Sequence, residues 1–421
     1  HEENPELPLT SSEDGSAFMT RGEYVTDRSR NLMDSYDTQC ADWGATHRRA
    51  WKAVAERPWM AGCFYWTGFD YHGEPTPHRW PTVSSFFGIM DLCGFPKMAY
   101  YLHQAQWVKD KPVLELVPHW NWPADSIGKP IKVMALSNAD KVKLLLNGKE
   151  ISEQQVDPYE MNTWSVPYKP GKLEAIGYKN GKIVSRTKVE TTKEPVQVRL
   201  IPDRNSLAGD GRDAMPVTVE VVDSKGRHVP TANNMIEFTV TGPAEIIGVG
   251  NGDPNCHEPE KGNKRSLFYG LAQVIIQSKE GAGTITLTAT TPGLKPATIT
   301  IDANQVAPVP FIAAEFPPML LNKWVASPLS SDKPDATRQI ADNDMNSWQP
   351  VSDGDLIKLE NANFVILRAT FNPFQAHREE GGSILFKQLA GKAEIWLNGQ
   401  LIGSKTTDKE EDFIVEFPAV K

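Results

Sequence analysis

The sequence contains 421 residues, with 44 Lys and Arg against 53 Asp and Glu and a formal net charge of −9, and at roughly 100 to 200 residues per domain it predicts two to four domains. Its apolar runs are much shorter than the roughly 20 residues of a membrane-spanning helix, which excludes a helical membrane span. The basic residues are scattered among acids rather than clustered, which argues against nucleic-acid binding.

The first segment of the chain alternates helical and strand patterns. Residues 1–20 are polar and lack an apolar stretch, so no secretory signal peptide is predicted within them. Apolar residues at three- and four-residue spacing predict helices over 28–57 and 97–108, and a short apolar run predicts a buried strand over 60–69. The strand is followed by a loop, 70–85, that is rich in Pro, His and Gly. This order is typical of an α/β domain, and barrel enzymes carry their chemistry on such loops.

From about residue 112 onward, apolar and polar residues alternate, which predicts β-strands. Two strand pairs flank Asn147-Gly148 and Asn180-Gly181, and Asn-Gly is the strongest short hairpin signal because both turn residues need positive φ. We therefore expect a small β-sandwich over about 125–192. Six further short strands between 196 and 301 predict a second sandwich of immunoglobulin-like size.

A Pro-rich linker, 306–318, precedes a final β-rich segment. Strands are predicted there over 364–371, 383–389 and 393–403, the last range holding a hairpin at Asn398-Gly399.

The sequence predicts neither a disulfide scaffold nor a cofactor or metal site. The four cysteines have no CxxC or other metal-ligand spacing. Cys256-His257 lacks further ligands, and a surface loop is the favoured interpretation. An oxygen-rich cluster lacks the Gly and terminal Glu of an EF-hand and is interpreted as a turn; it consists of Asp342, Asn343, Asp344 and Asn346.

Three motifs between residues 59 and 123 resemble the closing part of the catalytic barrel of glycoside hydrolase family 2, the family of β-galactosidases, β-glucuronidases and β-mannosidases. They are WMAGCFYWTGFDYHGEPTP, SSFFGIMDLCGFPKMAYYLHQAQW and PHWNWP. The resemblance implies a multidomain α/β plus all-β protein, in which the C-terminal remnant of a (β/α)8 TIM barrel precedes immunoglobulin-like sandwiches and a jelly-roll (galactose-binding-like) domain. The expected boundaries are 1–112, 113–193, 194–304 and 305–421, the last domain being expected to be incomplete.

The family resemblance also implies a catalytic nucleophile. Retaining members use two Glu residues roughly 5 to 5.5 Å apart. The nucleophile follows a Ser at the end of barrel strand seven, shortly before an Arg-Gly pair, and Ser12-Glu13 and Arg21-Gly22 match this pattern. The alternative is that Glu13 is one surface acid in an acidic terminus. The acid/base residue lies far upstream in the family, so we expect this chain to be a C-terminal fragment that is inactive alone.

Further residues are candidate substrate contacts because they lie in or after the strand-eight motif. Trp66 matches an aromatic wall of the sugar subsite, with a barrel-core Trp as the alternative. Asp70, Tyr71 and Asp91 are the other predicted contacts, with His72 and Glu74 close by. The alternative for these carboxylates is that they hold their own loops in place.

The resemblance favours a neutral sugar. The β-glucuronidase branch carries Asn-x-Lys before a Gly-Ile pair, and Ser85, Phe86 and Phe87 stand at those positions here. A uronate carboxylate buried without a partner would be costly. The last domain resembles a sugar-binding jelly roll, in which Trp348 and Trp396 are candidate sugar contacts against an alternative of core packing.

We therefore predict a retaining exo-β-galactosidase whose partners are a carbohydrate substrate and the missing N-terminal part of the same enzyme, with homo-oligomerisation left open. The competing hypotheses are a β-mannosidase of the same family and a non-catalytic array of carbohydrate-binding or spacer modules. A periplasmic or secreted location is expected by analogy with enzymes that carry such accessory modules.

Overall fold

The computed structural model describes residues 3–307, 319–335, 345–352, 354–359 and 363–419. The chain forms two compact units, His1–Val309 and Pro310–Lys421. Within the described ranges, no helix is both long and apolar enough to cross a membrane.

The first unit begins with a two-stranded parallel sheet. It is formed by β1 (Leu9–Gly15) and β2 (Met60–Trp66), and α1 (His47–Ala55) and α2 (Met98–Trp107) complete the segment. The helices cover one face, where the Tyr65 ring lies 5.5 Å from His47 and 4.3 Å from His103. The other face is open, and Phe64 on it is 69% exposed. Parallel sheets are normally covered on both faces, whereas this sheet is covered on one face only.

The predicted strand over 60–69 and helix over 97–108 are confirmed at slightly shorter bounds, but the predicted helix over 28–57 is wrong for its first two thirds. The helix α1 begins only at His47. Asp37 has a left-handed backbone with φ of 53°, and its carboxylate accepts hydrogen bonds from the N–H groups of His47 (2.8 Å) and Arg48 (3.0 Å). A carboxylate on the first free N–H groups stabilises the helix start. The apolar spacing before Asp37 arises from turns that bury Leu32, Met33 and Tyr36 one by one.

The next segment is a two-sheet β-sandwich. Its strands are β3 (Leu114–Val117), β4 (Pro130–Ser137), β5 (Lys141–Leu146), β6 (Lys149–Gln155), β7 (Asn162–Pro167), β8 (Lys172–Lys179) and β9 (Lys182–Glu190). One sheet has the order β3-β4-β7 and the other β6-β5-β8-β9. Inward-facing residues of both sheets form one core around the fully buried Trp120 and Tyr168. The predicted sandwich is thus observed.

A second, larger sandwich follows. Its strands are β10 (Pro195–Pro202), β11 (Ser206–Ala208), β12 (Ala214–Asp223), β13 (Met235–Thr241), β14 (Ala244–Gly250), β15 (Lys264–Ser266), β16 (Leu271–Ser278), β17 (Gly283–Thr290) and β18 (Ala297–Asn304). The sheets have the orders β10-β12-β16-β14 and β11-β18-β17-β13-β15. All six predicted strands are present. The sequence analysis missed β11 and β15, which are very short, and β14, whose two glycines interrupt the alternation.

The second unit contains small antiparallel sheets in its described part. Its elements are β19 (Trp324–Ala326), β20 (Gln349–Val351), β21 (Leu367–Ala369), α3 (Gln375–Glu380), β22 (Gly382–Leu389), β23 (Ala393–Leu397), β24 (Gln400–Lys405) and β25 (Glu411–Phe417). The pairings are β20-β19-β21, β22-β25 and β23-β24. The jelly roll stays a prediction, and the predicted turn at 342–344 lies outside the described residues.

The three predicted Asn-Gly hairpins are confirmed. Both residues of each turn have positive φ: 51° and 79° at Asn147-Gly148, 52° and 73° at Asn180-Gly181, and 48° and 82° at Asn398-Gly399. These angles match the turn type whose twist suits paired strands. Each turn therefore fixes the register of the strands it joins.

One half-buried carboxyl in the first sandwich predicts a pH dependence of stability. Burial raises the pKa of Glu115, on β3, to about 7. Because the folded pKa lies above the unfolded one, Glu115 contributes stability at pH 4 that is lost as the pH rises through about 7. Between pH 4 and pH 8, the free energy of unfolding of Glu115→Gln should therefore rise by about 1 to 3 kcal/mol relative to that of the unsubstituted chain, as measured by urea unfolding at each pH. For Glu245→Gln, at an exposed glutamate, the difference in free energy of unfolding from the unsubstituted chain should not change between pH 4 and pH 8. A pH-independent difference for Glu115→Gln would contradict the prediction.

Candidate functional site

The carboxyl ends of β1 and β2 form an open edge that carries the predicted nucleophile and the predicted aromatic wall. Because the two strands are parallel, they end at the same edge, with Gly15 opposite Trp66. Glu13 is exposed just before the end of β1, and Trp66 is 38% exposed at the end of β2. The register shifts between Ser11 and Asp14, a bulge of the kind that redirects a side chain. The carboxylate and the indole are thus brought to one end of the sheet.

The neighbouring carboxylate, Asp14, faces a different environment. Asp14 is half-buried, and its interaction with the thiol of Cys63 contributes to raising the pKa of that thiol to about 11, after burial itself. Because Glu13 is exposed and Asp14 is half-buried, Glu13 is the more accessible of the two adjacent acids.

A short hydrogen-bonded chain orients the Trp66 indole. The indole N–H of Trp66 donates to the Tyr71 hydroxyl at 3.0 Å, and the two rings meet edge to face with centroids 5.7 Å apart. The Tyr71 hydroxyl in turn donates to the carboxylate of the exposed Glu74. Burial, together with the Glu74 carboxylate, raises the pKa of Tyr71 to about 12, so its hydroxyl remains a donor at neutral pH. The arrangement holds one indole in place while leaving part of its surface open.

Asp70 lies in the interior and anchors the loop that follows β2. Its carboxylate lies 2.5 Å from the Lys97 ammonium and accepts the Gly88 N–H at 2.8 Å. Lys97 also donates to the carbonyls of Met19 and Phe86. Burial raises the pKa of Asp70 to about 6, although the Lys97 charge opposes this shift. The carboxylate oxygens of Asp70 are thus occupied by groups of the chain itself.

Asp91 is fully buried and belongs to a junction with the second sandwich. The Arg21 Nε donates to its carboxylate at 2.5 Å, and the N–H groups of Cys93 and Phe95 donate to the other oxygen. The same guanidinium donates to the backbone carbonyls of Asn251 (2.7 Å) and Phe268 (2.9 Å). Arg21 therefore joins the segment after β1 to two loops of the second sandwich.

The structure brings some predicted site residues together and separates others. Glu13, Trp66 and Tyr71 lie at the open edge, whereas Asp70 and Asp91 are buried and bound to the protein's own donors. This geometry favours the alternative that the two carboxylates hold their loops in place, and their contact with substrate stays a prediction. The sequence analysis did not identify Lys97, and it treated Arg21 only as part of a motif. Lys97 directly precedes the apolar start of α2, and both cations are buried in the structure.

The remaining candidates show no binding geometry of their own. Ser85, Phe86 and Phe87 are buried beneath the loop after β2. Cys256 is half-buried and His257 contacts the Pro81 carbonyl, and the described residues contain no group of three or more His, Cys, Asp or Glu able to hold a metal. In the second unit, Trp348 and Trp396 are both half-buried.

Two family models match the chain. The model described as glycoside hydrolase family 2 C-terminal domain 5 matches residues 198–300, within the second sandwich. A domain of unknown function matches residues 128–185, within the first sandwich.

Similar proteins carry names of glycosidases. Beta-galactosidase BoGH2A of Bacteroides ovatus is 41% identical over 320 residues, which are 72% of this chain and 37% of the relative. A putative beta-glucuronidase of Formosa agariphila is 34% identical over 257 residues, 60% of this chain and 25% of the relative. The crystal structure of a beta-glycosidase from Bacteroides vulgatus superposes with a TM-score of 0.66 at 30% identity, covering 72% of this chain and 43% of that one. The chain thus spans well under half the length of each of them.

Proposed function

The chain belongs to glycoside hydrolase family 2, as a C-terminal portion of such a protein, and on that premise we propose that the full-length protein is a retaining exo-β-galactosidase. In this proposal residues 1–112 form the closing part of its catalytic (β/α)8 barrel. The half-covered parallel sheet of β1 and β2 supports the barrel, because further parallel strands would cover its open face and edges.

The proposal assigns the nucleophile to Glu13, and the observation that carries it is the placement of Glu13 and Trp66, both solvent-accessible, at the same open edge of the sheet. In a barrel, that edge is where the active site lies. The carboxylate oxygen would attack the anomeric carbon, and the glycosidic oxygen would leave with a proton from the acid/base residue. That second carboxylate is proposed to come from a more N-terminal part of the full-length protein. Trp66, held by Tyr71, would offer its exposed surface to the sugar ring.

A neutral galactosyl group is the proposed substrate. Ser85, Phe86 and Phe87 are uncharged and buried, so none of them offers a cation to a uronate carboxylate. The name of the Bacteroides ovatus relative, a β-galactosidase, supports the same sugar. A β-glucuronide is the second candidate, because the Formosa agariphila relative is named a putative β-glucuronidase.

Trapping of the glycosyl-enzyme tests the nucleophile and the sugar together. The full-length protein is incubated with a dinitrophenyl 2-deoxy-2-fluoro-β-galactoside, whose fluorine slows hydrolysis of the intermediate while the good leaving group allows it to form. We expect one label, located by peptide mass spectrometry on Glu13 and absent from the Glu13→Gln variant. The matched uronide and mannoside reagents are run in parallel. Label on another carboxylate would overturn the assignment of Glu13, and preferential labelling by the uronide or mannoside would overturn the proposed sugar.

The competing hypothesis of a spacer or binding array makes a different prediction. In that case the full-length protein would remain unlabelled by all three reagents. Binding of polysaccharide to the 421-residue chain, unaffected by Glu13→Gln, would then favour a non-catalytic role.

A further inference from the structure

A loop of the second sandwich packs against the loop that follows β2. The loop 251–263 joins β14 to β15, and four of its residues contact the loop 70–85. Asn255 accepts a hydrogen bond from the Thr82 hydroxyl at 2.7 Å, and the Pro254 carbonyl accepts the Val83 N–H at 3.0 Å. The other two contacts join His257 Nε2 to the Pro81 carbonyl (2.6 Å) and the Glu260 carboxylate to His72 Nε2 (2.9 Å). The second sandwich is thus attached to the loop that carries Tyr71.

The loop after β2 is itself a hairpin with a projecting tip. Gly73 N–H donates to the Val83 carbonyl at 2.9 Å, and Ser85 N–H donates to the Tyr71 carbonyl at 2.9 Å. Between these bonds, His72 and Ser84 form an isolated antiparallel β-bridge. The base of this hairpin therefore includes Tyr71, which holds Trp66. Its tip, 74–82, lies beyond these bonds.

The tip displays an indole whose position is not explained by packing among the described residues. Trp80 is 76% exposed, and its ring meets the His257 ring edge to face with centroids 4.8 Å apart. His72 and Glu260, which contact each other between the same two loops, have side chains that are each 55% exposed. The exposed indole beside the His257 imidazole offers an apolar plane with a hydroxyl-binding group, and the Glu260 carboxylate on the same loop as His257 is a further acceptor. That combination suits a sugar ring, which has an apolar face and a rim of hydroxyls.

From these contacts we propose that Trp80, together with His257 and Glu260 of the second sandwich, forms a second sugar-binding platform for the leaving-group side of the scissile bond. The inference rests on the proposed exo-acting glycosidase. In such an enzyme the terminal sugar occupies the site of Glu13 and Trp66, so we assign a further sugar contact on the same hairpin to the part of the substrate beyond the cleaved bond. The second sandwich then contributes to substrate selection as well as to support.

The test compares two substrates that share the terminal galactosyl group. The full-length enzyme and its Trp80→Ala variant are assayed on a β-linked galacto-oligosaccharide and on β-galactosyl fluoride, whose leaving group has no ring. We expect kcat/KM of the variant to fall about tenfold for the oligosaccharide, with little change for the fluoride, because the apolar face of a sugar ring loses its contact with the indole. The Trp80→Phe and Glu260→Gln variants should show smaller losses of the same kind. Trp43→Ala, at another exposed indole, is the matched control.

Two outcomes would overturn the platform. Equal losses of kcat/KM on both substrates would assign Trp80 a structural role. Unchanged kcat/KM on both substrates would show that Trp80 does not bind the substrate. Thermal melting of each variant reports whether the fold is retained, and Trp80→Phe keeps the test valid if Trp80→Ala does not fold. Failure of the unsubstituted enzyme to cleave either galactoside would overturn the proposed function instead, and the Trp80 comparison is then run with the fluoride and oligosaccharide of whichever sugar the enzyme cleaves.

Discussion

Replacing Arg21 by methionine should lower the free energy of unfolding of the His1–Val309 unit by about 3 to 5 kcal/mol. Arg21 and Asp91 are joined at 2.5 Å, and their side chains are 7% and 0% exposed. Methionine fills much of the arginine volume but removes the charge. The Asp91 carboxylate would then stay buried with only backbone N–H groups as partners, and the carbonyls of Asn251 and Phe268 would lose their shared donor.

The same substitution at an exposed ion pair provides the control. Arg186 lies 3.4 Å from Glu174 with 52% of its side chain exposed, and Arg186→Met should cost less than about 1 kcal/mol. Urea unfolding is followed by pulse proteolysis, with peptides of residues 3–307 quantified by mass spectrometry so that the two units are resolved. Equal, small effects of both substitutions would show that the buried pair adds little to stability. The loss in free energy of unfolding for Arg21→Lys should lie between those for Arg186→Met and Arg21→Met, because an ammonium cannot reach all three acceptors in the geometry of the guanidinium.

The packing around Asp91 shows why this junction could not be read from the sequence. Arg21 and Asp91 are 70 residues apart, and Arg21 and Asn251 are 230 residues apart. The bonds from Arg21 to Asn251 and Phe268 form only when the second sandwich packs against the first segment. Gly252 marks the contact, because a Cβ there would lie 1.9 Å from the Asp91 carboxylate, but a glycine in a polar loop has the same appearance as a turn residue in the sequence.

Local signals, by contrast, predicted most of the β-structure. Alternation and Asn-Gly turns act over a few residues, so the strands of both sandwiches followed from the sequence. The helix predicted over 28–57 failed because apolar spacing does not distinguish a helix from a series of turns that each bury one side chain. Asp37 has a left-handed backbone, and its carboxylate accepts hydrogen bonds from the N–H groups of His47 and Arg48. The apolar spacing does not reveal these bonds.

The candidate site was predictable to a different extent for each residue. Glu13 and Trp66 were predicted only through the family resemblance, since an exposed acid in an acidic terminus carries no signal of its own. The resemblance located the loop of Asp70 but not the direction of its side chain, which Lys97 determines. Similarly, nothing in the sequence joins Trp80 to His257, because that contact depends on how the second sandwich packs.

Replacing Glu13 by alanine in the full-length protein should reduce kcat on an activated β-galactoside by about 10⁴-fold or more, a loss of about 5.5 kcal/mol of transition-state stabilisation. The acid/base residue and the sugar contacts would remain, but no carboxylate would attack the anomeric carbon. The exposed Glu6→Ala change on the same terminus should leave kcat unaltered. Asp14→Ala is the critical comparison, because Asp14 is the adjacent acid at the same end of β1 but is half-buried beside the Cys63 thiol, whereas Glu13 is exposed.

Added azide distinguishes a lost nucleophile from a damaged site. In Glu13→Ala the removed side chain leaves room for a small anion, whose nitrogen can attack the anomeric carbon as the leaving group departs with the proton supplied by the acid/base residue. Because the attack inverts the β-configuration, the product should be the α-galactosyl azide, identified by NMR, together with recovery of much of the lost rate. A structural defect would not respond to azide. Rescue of Asp14→Ala in place of Glu13→Ala would move the nucleophile to the neighbouring residue, and the accessibility of Glu13 at the end of β1 is the physical reason to expect the opposite.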